Sequence, residues 1–403
     1  MKRTWISMGL AGFLASSVPW AGTDLEPPDL GRYFKWGPLR VRPGLVVSDM
    51  GYDDNILSSS SDPVDDYTMT VGPLLDGVVL FGDRAFLTFE EKAEFTFYAE
   101  NDDQNFVNQR GKARLTLPLQ RVGFFVHGRL DRLQERPLDL QDVRTDRDRD
   151  TLGAGVIFVP AWRMEIELAQ SRSDLHYDDR DEIPSDTTIS QRLDRDERET
   201  SLGVTYVLFG RARLTFDAAW RRTAFDSPLA AGKDSRGWSA LPGFDFGLGG
   251  TLSGTARIGQ AVIDADDPAI VPLREMIGDA AVAFRPGART TLRLEARREP
   301  GYTVNGDDIY YLDSTLEGRG VYFLNRLFGL EAGLYTGRLT IPGSPREDER
   351  DGYDAGVRLR LPEDLLGRRI EYYLKLRHLR SRSNVESQNF THTTLGFGAT
   401  LGF

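Results

Sequence analysis

Cysteine is absent from the 403 residues, which excludes disulfides, thiol chemistry and lipid attachment at a cysteine. Lysine is scarce too: six of the 50 basic residues are Lys and the rest are Arg, a bias that a GC-rich genome produces as readily as function does. Acidic residues outnumber basic ones, and the formal net charge of −11 argues against nucleic acid as a main partner. Beyond the first residues no stretch approaches eighteen apolar residues, so no transmembrane helix is expected. Helical periodicity is nearly missing; only 362–368 would make one short turn. Neither Gly-x-Ser-x-Gly nor His-Glu-x-x-His occurs, which removes two common hydrolase signatures.

The first residues read as a secretory signal. Lys2 and Arg3 precede a short apolar core from Ile6 to Val18, too short and too weak for a spanning helix. Cleavage is expected after Ala21, with Ser17 an alternative because Pro19 is a poor −3 residue. The division expected is 1–21 signal peptide, 22–38 periplasmic lead and 39–403 one β domain. About seventeen residues of lead are too few for a helical-repeat domain or a plug.

From Leu39 onward, period-two alternation dominates. Val122, Phe124, Val126 and Leu130 oppose Phe125, His127, Arg129 and Asp131; Leu214, Phe216, Ala218 and Trp220 oppose Arg213, Thr215, Asp217 and Arg221; Leu292, Leu294 and Ala296 oppose Arg293, Glu295 and Arg297. One apolar and one charged face is strand patterning. The connections alternate in kind. Short ones are expected at 82–83, 120–121, 160–161, 210–211, 249–250, 285–288, 325–326 and 362–368. Long polar ones are expected at 53–65, 100–106, 136–148, 176–198, 226–236, 263–275, 299–309, 341–351 and 381–389. Eight short and nine long connections give about eighteen strands of roughly ten spanning residues, with short turns on one rim and long loops on the other.

A soluble sandwich also alternates, so periodicity alone does not say which face meets lipid. The end of the chain separates the two readings. Leu395, Phe397, Ala399, Leu401 and Phe403 alternate with small residues and finish on an aromatic, resembling the signal that outer-membrane assembly machinery reads. Aromatics also gather near strand ends: Phe81, Phe158, Trp162, Phe209, Phe284 and Phe328 towards the short turns, and Phe97, Tyr177, Phe225 and Tyr353 towards the loops. Two interfacial girdles are expected. The fold class is therefore all-β: a closed antiparallel transmembrane barrel in the outer membrane, in contact with its lipid and lipopolysaccharide. Glu91 alone breaks an apolar face, which requires a bulge or a different phase there.

The inward faces carry paired charge. Arg114, Arg129, Arg163, Arg213, Arg293, Arg297, Arg319, Arg358, Arg360 and Arg377 are the candidate pore-lining, anion-binding residues. They would attract carboxylated or sulfated sugars through bidentate contacts, or would merely form cross-strand ladders with lumen carboxylates. The long loops are acidic, but none matches an EF-hand; no metal or other cofactor is expected. The 136–148 and 176–198 loops are the candidates for an inward-folded constriction. The four histidines, His127, His176, His378 and His392, form no Ser–His pair on a lipid-facing surface of the kind barrel lipases use. No catalytic residue is expected.

Pro43-Gly-Leu-Val-Val-Ser-Asp-Met-Gly-Tyr-Asp-Asp-Asn-Ile56 resembles the amino-terminal signature of the putative β-barrel porin 2 family, in which the first strand runs into Tyr-Asp-Asp-Asn-Ile. Tyr52, Asp53, Asp54, Asn55 and Ile56 match it, and Asp53 and Asn55 are placed to cap and turn the chain. The resemblance implies an outer-membrane barrel. Many family members occur in exopolysaccharide or capsule gene clusters, which implies a conduit for anionic exopolysaccharide. A general small-solute porin and a non-conducting scaffold of a secretion complex are the alternatives. Oligomeric state is left open.

Overall fold

The computed structural model describes residues 25–31, 33–135, 144–178, 188–303, 309–361 and 369–402. The expected signal peptide, the 362–368 turn, Phe403, most of the 136–148 loop and the centre of the 176–198 loop lie outside them. A short β1 (Phe34–Trp36) precedes the wall strands β2 (Leu39–Asp53), β3 (Asp66–Leu80), β4 (Phe86–Tyr98), β5 (Phe106–Leu119), β6 (Val122–Glu135), β7 (Thr145–Ala161), β8 (Met164–Asp178), β9 (Arg195–Phe209) and β10 (Ala212–Phe225). The wall continues through β11 (Ser235–Leu248), β12 (Leu252–Ala265), β13 (Leu273–Gly287), β14 (Thr290–Tyr302), β15 (Tyr310–Phe323), β16 (Phe328–Thr340), β17 (Glu347–Arg360), β18 (Arg369–Ser383) and β19 (Phe390–Gly402). Each wall strand pairs antiparallel with the next, and β19 returns to β2, so the sheet has no free edge, as a bilayer demands. No helix among the described residues is long and apolar enough to cross a membrane.

The eighteen wall strands alternate short and long connections as expected, but they run 13 to 17 residues rather than ten. Above the apolar band both faces of a strand are polar, so alternation vanishes although pairing continues. For the same reason the 136–148, 263–275 and 341–351 loops begin or end inside strands. The turn expected at 160–161 is displaced to Trp162–Arg163, because β7 runs to Ala161, and β13 likewise consumes most of 285–288.

β2 carries a bulge. Its register with β3 slips between Ser48 and Gly51, and its register with β19 slips between Phe397 and Ala399. Asp49 there has φ 55°. Gly51 lies so close to β19 that a Cβ would sit 1.9 Å from the Leu395 carbonyl oxygen. The Asp-Asp-Asn motif follows immediately and binds the last strand to the first. Asp54 Oδ1 accepts from Thr393 N (2.6 Å), while Asn55 Nδ2 donates to Thr391 O (3.0 Å) and Ser59 O (2.9 Å). Asp53 Oδ1 accepts from Asn55 N (3.0 Å), a local Asx turn. Glu91 needs no bulge: β4 keeps its register, and the carboxylate stays on the outward face, hydrogen-bonded to Gln109 Nε2 at 2.7 Å.

Two aromatics expected in the outer girdle point the other way. Tyr177 and Phe225 are buried on the inward face. With Leu175, Ile189, Leu193, Ile263, Leu273, Tyr302 and Tyr310 they build an apolar cluster inside the loop end of the barrel. Two segments fill that end. The first is α1 (Ile189–Leu193), started by a Thr188–Gln191 capping box, with buried Ile189 and Leu193 facing the cluster. The second is the loop-side end of β14 and β15. Pairing of β14 with β13 ends at Arg298 and pairing of β15 with β16 ends at Leu312, yet β14 and β15 stay paired to Tyr302–Tyr310. These strand ends leave the wall and turn inward, where the Tyr302 hydroxyl meets Thr223 Oγ1 (2.9 Å) and Ser235 Oγ (3.1 Å). Lys233 Nζ reaches the Thr303 carbonyl at 3.1 Å.

Candidate functional site

The lumen is built by the charged face of each strand, and its two halves differ. In the β14–β18 sector the charges are packed on one another. Lys375 Nζ lies 2.7 Å from both Glu331 and Asp354; Arg358 contacts Glu331 and lies 2.7 Å from Glu371; Arg319 lies 2.6 Å from Glu317; Arg350 pairs with Asp313. Lys375, Asp354, Glu331, Arg350 and Asp313 are buried. Lys375, Arg358 and Arg319 each have carboxylates on two or more strands, which is the arrangement that makes buried charge tolerable.

The opposite sector is open. A cavity of about 730 Å³ is lined from Pro28 and Tyr33 of the lead, across β2 to β12. Its charged lining comprises nine basic side chains (Arg42, Lys112, Arg114, Arg129, Arg149, Arg163, Arg213, Arg221, Arg257) against seven acidic ones. Arg114 stacks on Phe125 with its guanidinium 3.7 Å from the ring centroid and reaches Glu167 at 3.0 Å. Arg129 pairs with Asp131 at 2.8 Å. Arg163 lies over Trp162 at 4.1 Å and donates to the Leu208 carbonyl at 3.4 Å, without a salt-bridge partner among the described residues. Arg213 makes neither a hydrogen bond nor a salt bridge among them; Asp245 opposes it on the neighbouring strand and faces it beyond ion-pair distance.

The structure therefore splits the ten sequence candidates. Arg114, Arg129, Arg163 and Arg213 line the cavity. Arg319, Arg358 and Arg360 belong to the packed sector, with Arg360 3.7 Å from Glu371 and stacked on Phe323. Arg293 pairs with Glu295 and Arg297 with Glu299, each two residues along its own strand. Arg377 shares the Lys375 face of β18. The cavity also uses Arg42, which holds Asp76 at 2.5 Å across β2 and β3, and Arg149, Arg221 and Arg257. Arg221 stood on a charged face in the sequence pattern. Arg149 did not stand out, because the Asp-Arg-Asp-Arg-Asp run around it has no apolar face to set its phase.

The lead enters the barrel rather than hanging below it. Leu25 is buried against inward-facing Phe125, Ile157 and Ala169, and Pro28 and Tyr33 line the floor of the cavity. At the other end, Arg149, Glu197, Arg195 and Glu135 form a buried layer beneath the loop-end cluster. Histidines stand apart from one another: His127 faces in and stacks on Phe125, His392 faces in beside Asp53 (2.7 Å), His176 meets Asp194 (2.6 Å), and His378 faces out beside Tyr353. Among the described residues no group of three or more acidic or imidazole side chains is arranged to hold a metal ion.

The profile of one family, Putative beta-barrel porin 2, matches residues 34–403. The chain belongs to that family. No curated protein sequence matches it. Among solved structures it is similar to Pseudomonas aeruginosa OccK2 (OpdF), at 11% identity and TM-score 0.53, covering 90% of this chain and 98% of that one. OccK2 in complex with glucuronate gives TM-score 0.52 at 11% identity over the same shares. Pseudomonas aeruginosa OpdK with vanillate gives 0.51 at 12% identity, covering 90% and 99%. At these identities the likeness is one of fold: a closed eighteen-stranded antiparallel barrel of the outer-membrane channel type. This porin is thus an outer-membrane, porin-like channel, and its strands sit in membrane lipid.

Proposed function

We propose that this porin passes anionic, carboxylated saccharides, including segments of acidic exopolysaccharide, along the basic side of its lumen. The observation that carries the reading is the cavity lining. Cations outnumber carboxylates there, and Arg213 and Arg163 have no salt-bridge partner among the described residues. Guanidinium groups with spare donors bind carboxylates in bidentate fashion, and a row of them offers successive weak sites rather than one tight one. Glucuronate and vanillate, bound by the structurally similar OccK2 and OpdK, are both carboxylates; this likeness is support by analogy. Proteoliposome flux tests the proposal. Glucuronate and short oligouronates should pass faster than glucose and neutral oligosaccharides of equal size, and Arg213→Gln with Arg163→Gln should remove the difference. Equal rates for acidic and neutral sugars at every size would leave a general diffusion porin.

A second reading has its own observation. The apolar cluster and the inward strand ends fill the loop end of the lumen, which suits a gated channel or a non-conducting scaffold of a secretion complex. Absence of flux for every solute, from barrels shown to be folded, would select the scaffold.

A further inference from the structure

The outward face carries one feature that transport does not use. Arg172, Arg198, Arg222 and Arg236 are directly opposed, one per strand, across β8, β9, β10 and β11. Four like charges in one cross-strand row repel each other, and neighbouring strands put them about 5 Å apart. Asp174 and Asp226 stand on the loop side of the row without a salt bridge among the described residues; the other nearby carboxylates are engaged at its two ends. Asp196 takes Arg172 in two hydrogen bonds (3.0 and 2.7 Å), Asp266 is 3.9 Å from Arg236, and Asp264 is 4.0 Å from Arg274. Asp174 stands beside Arg172 on the loop side. Arg198 and Arg222, at the centre of the row, make no hydrogen bond or salt bridge among the described residues.

One pleat nearer the short turns, Trp220 and Trp238 are directly opposed and half exposed. Below them Leu214, Phe216 and Phe244 continue the apolar wall. Ten residues separate Ala212, at the short turn, from Arg222. At about 3.4 Å per residue and a tilt of about 40°, that places the row roughly 25 Å above the short-turn rim, at the top of the apolar band. The arginines thus sit at the headgroup level of the outer leaflet, with tryptophans at its boundary.

We infer that Arg198 and Arg222, flanked by Arg172 and Arg236, form a binding site for the phosphates of an outer-leaflet glycolipid, with Trp220 and Trp238 against its sugar and upper acyl groups. Phosphate oxygens accept from two guanidinium groups at once, and a bound phosphate cancels the repulsion along the row. The inference rests on the outer-membrane placement and not on which solute the lumen passes.

Native mass spectrometry of the full chain in detergent, with lipid A as probe, tests it. Arg198→Gln/Arg222→Gln is compared with wild type, and Arg338→Gln/Arg382→Gln serves as control, since those outward arginines are paired with Glu347 and Asp351. Folding is checked by heat-modifiable migration in gels. Bisphosphorylated lipid A should remain bound to wild type and to the control, with at least tenfold weaker retention on the Arg198/Arg222 variant. Dephosphorylated lipid A should bind wild type no better than it binds that variant. Equal retention by all three proteins, or equal binding of phosphorylated and dephosphorylated lipid, would overturn the site. Full displacement by millimolar inorganic phosphate would show a free-anion site and overturn the lipid assignment.

Discussion

Replacing Tyr302 should open the loop end of the barrel. Its hydroxyl makes two buried hydrogen bonds, to Thr223 and Ser235. Its ring packs edge-on to Phe225 (centroids 5.4 Å apart), lies 5.6 Å from Tyr310, and receives the Arg195 guanidinium at 4.8 Å. Tyr302→Phe removes only the hydrogen bonds, about 1–2 kcal/mol. Tyr302→Ala also removes the ring, and truncating a buried aromatic costs about 3–5 kcal/mol. At about 1.4 kcal/mol per tenfold, the alanine variant shifts the balance between docked and released strand ends by roughly 10² to 4 × 10³-fold, and the phenylalanine variant by roughly tenfold. The wall pairing of β14 below Arg298 is untouched, so the barrel should still fold. Single-channel recording should then give longer or larger openings in the order Tyr302→Ala, Tyr302→Phe, wild type. Folded Tyr302→Ala barrels with wild-type conductance and open time would refute the inward strand ends as the element that closes the loop end.

Other outcomes follow from the same geometry. Gly51→Val places side-chain atoms in the β19 backbone and should prevent closure, seen as loss of the heat-modifiable band; Asn55→Ala, which leaves two carbonyls and one N–H without their side-chain partner, should cost about 2–3 kcal/mol and give a less heat-resistant band. Lys375→Met takes from Asp354 its 2.7 Å partner and leaves it Arg319 at 3.8 Å, while Glu331 keeps Arg358 and Arg319; the unfolding free energy should fall by about 1–3 kcal/mol, read from urea titration of tryptophan fluorescence. Burial raises the Asp194 pKa, partly offset by the Tyr177 N–H and by His176. The docked loop therefore holds the Asp194 proton more tightly than the undocked one. That contribution is full below the ordinary carboxylate range and is lost as pH rises through the raised pKa. Hydrogen exchange of 189–194, corrected for intrinsic rates, should show better protection on the acid side, and Asp194→Asn should flatten the dependence.

The wall was legible from the sequence because lipid on one side and charge on the other force a period of two on each strand. The closure motif was legible in part: Asp53 and Asn55 showed as turn formers, but their bonds to Thr391 and Thr393 join residues more than 330 positions apart. The inward turn of the loop-side ends of β14 and β15 was not legible. Tyr302 keeps the outward phase of its strand, and only the end of pairing at Arg298 lets it turn into the lumen. Tyr177 and Phe225 were misplaced for a related reason, since an aromatic near a strand end looks the same in a girdle and in an inner cluster. Nor could the ten arginines be sorted by pattern alone. Arg213 and Arg358 stand on equivalent inward faces, and their difference lies in which carboxylates the neighbouring strands bring within reach.

Ion selectivity tests the central claim most directly. Reversal potentials of the refolded porin in a planar bilayer under a KCl gradient, with and without oligouronate, report whether anions travel along the basic lining. Chloride over potassium preference, block by oligouronate but not by a neutral oligosaccharide of equal length, and loss of both in Arg213→Gln/Arg163→Gln is the expected result. Cation preference, or acidic and neutral sugars blocking alike, would contradict it.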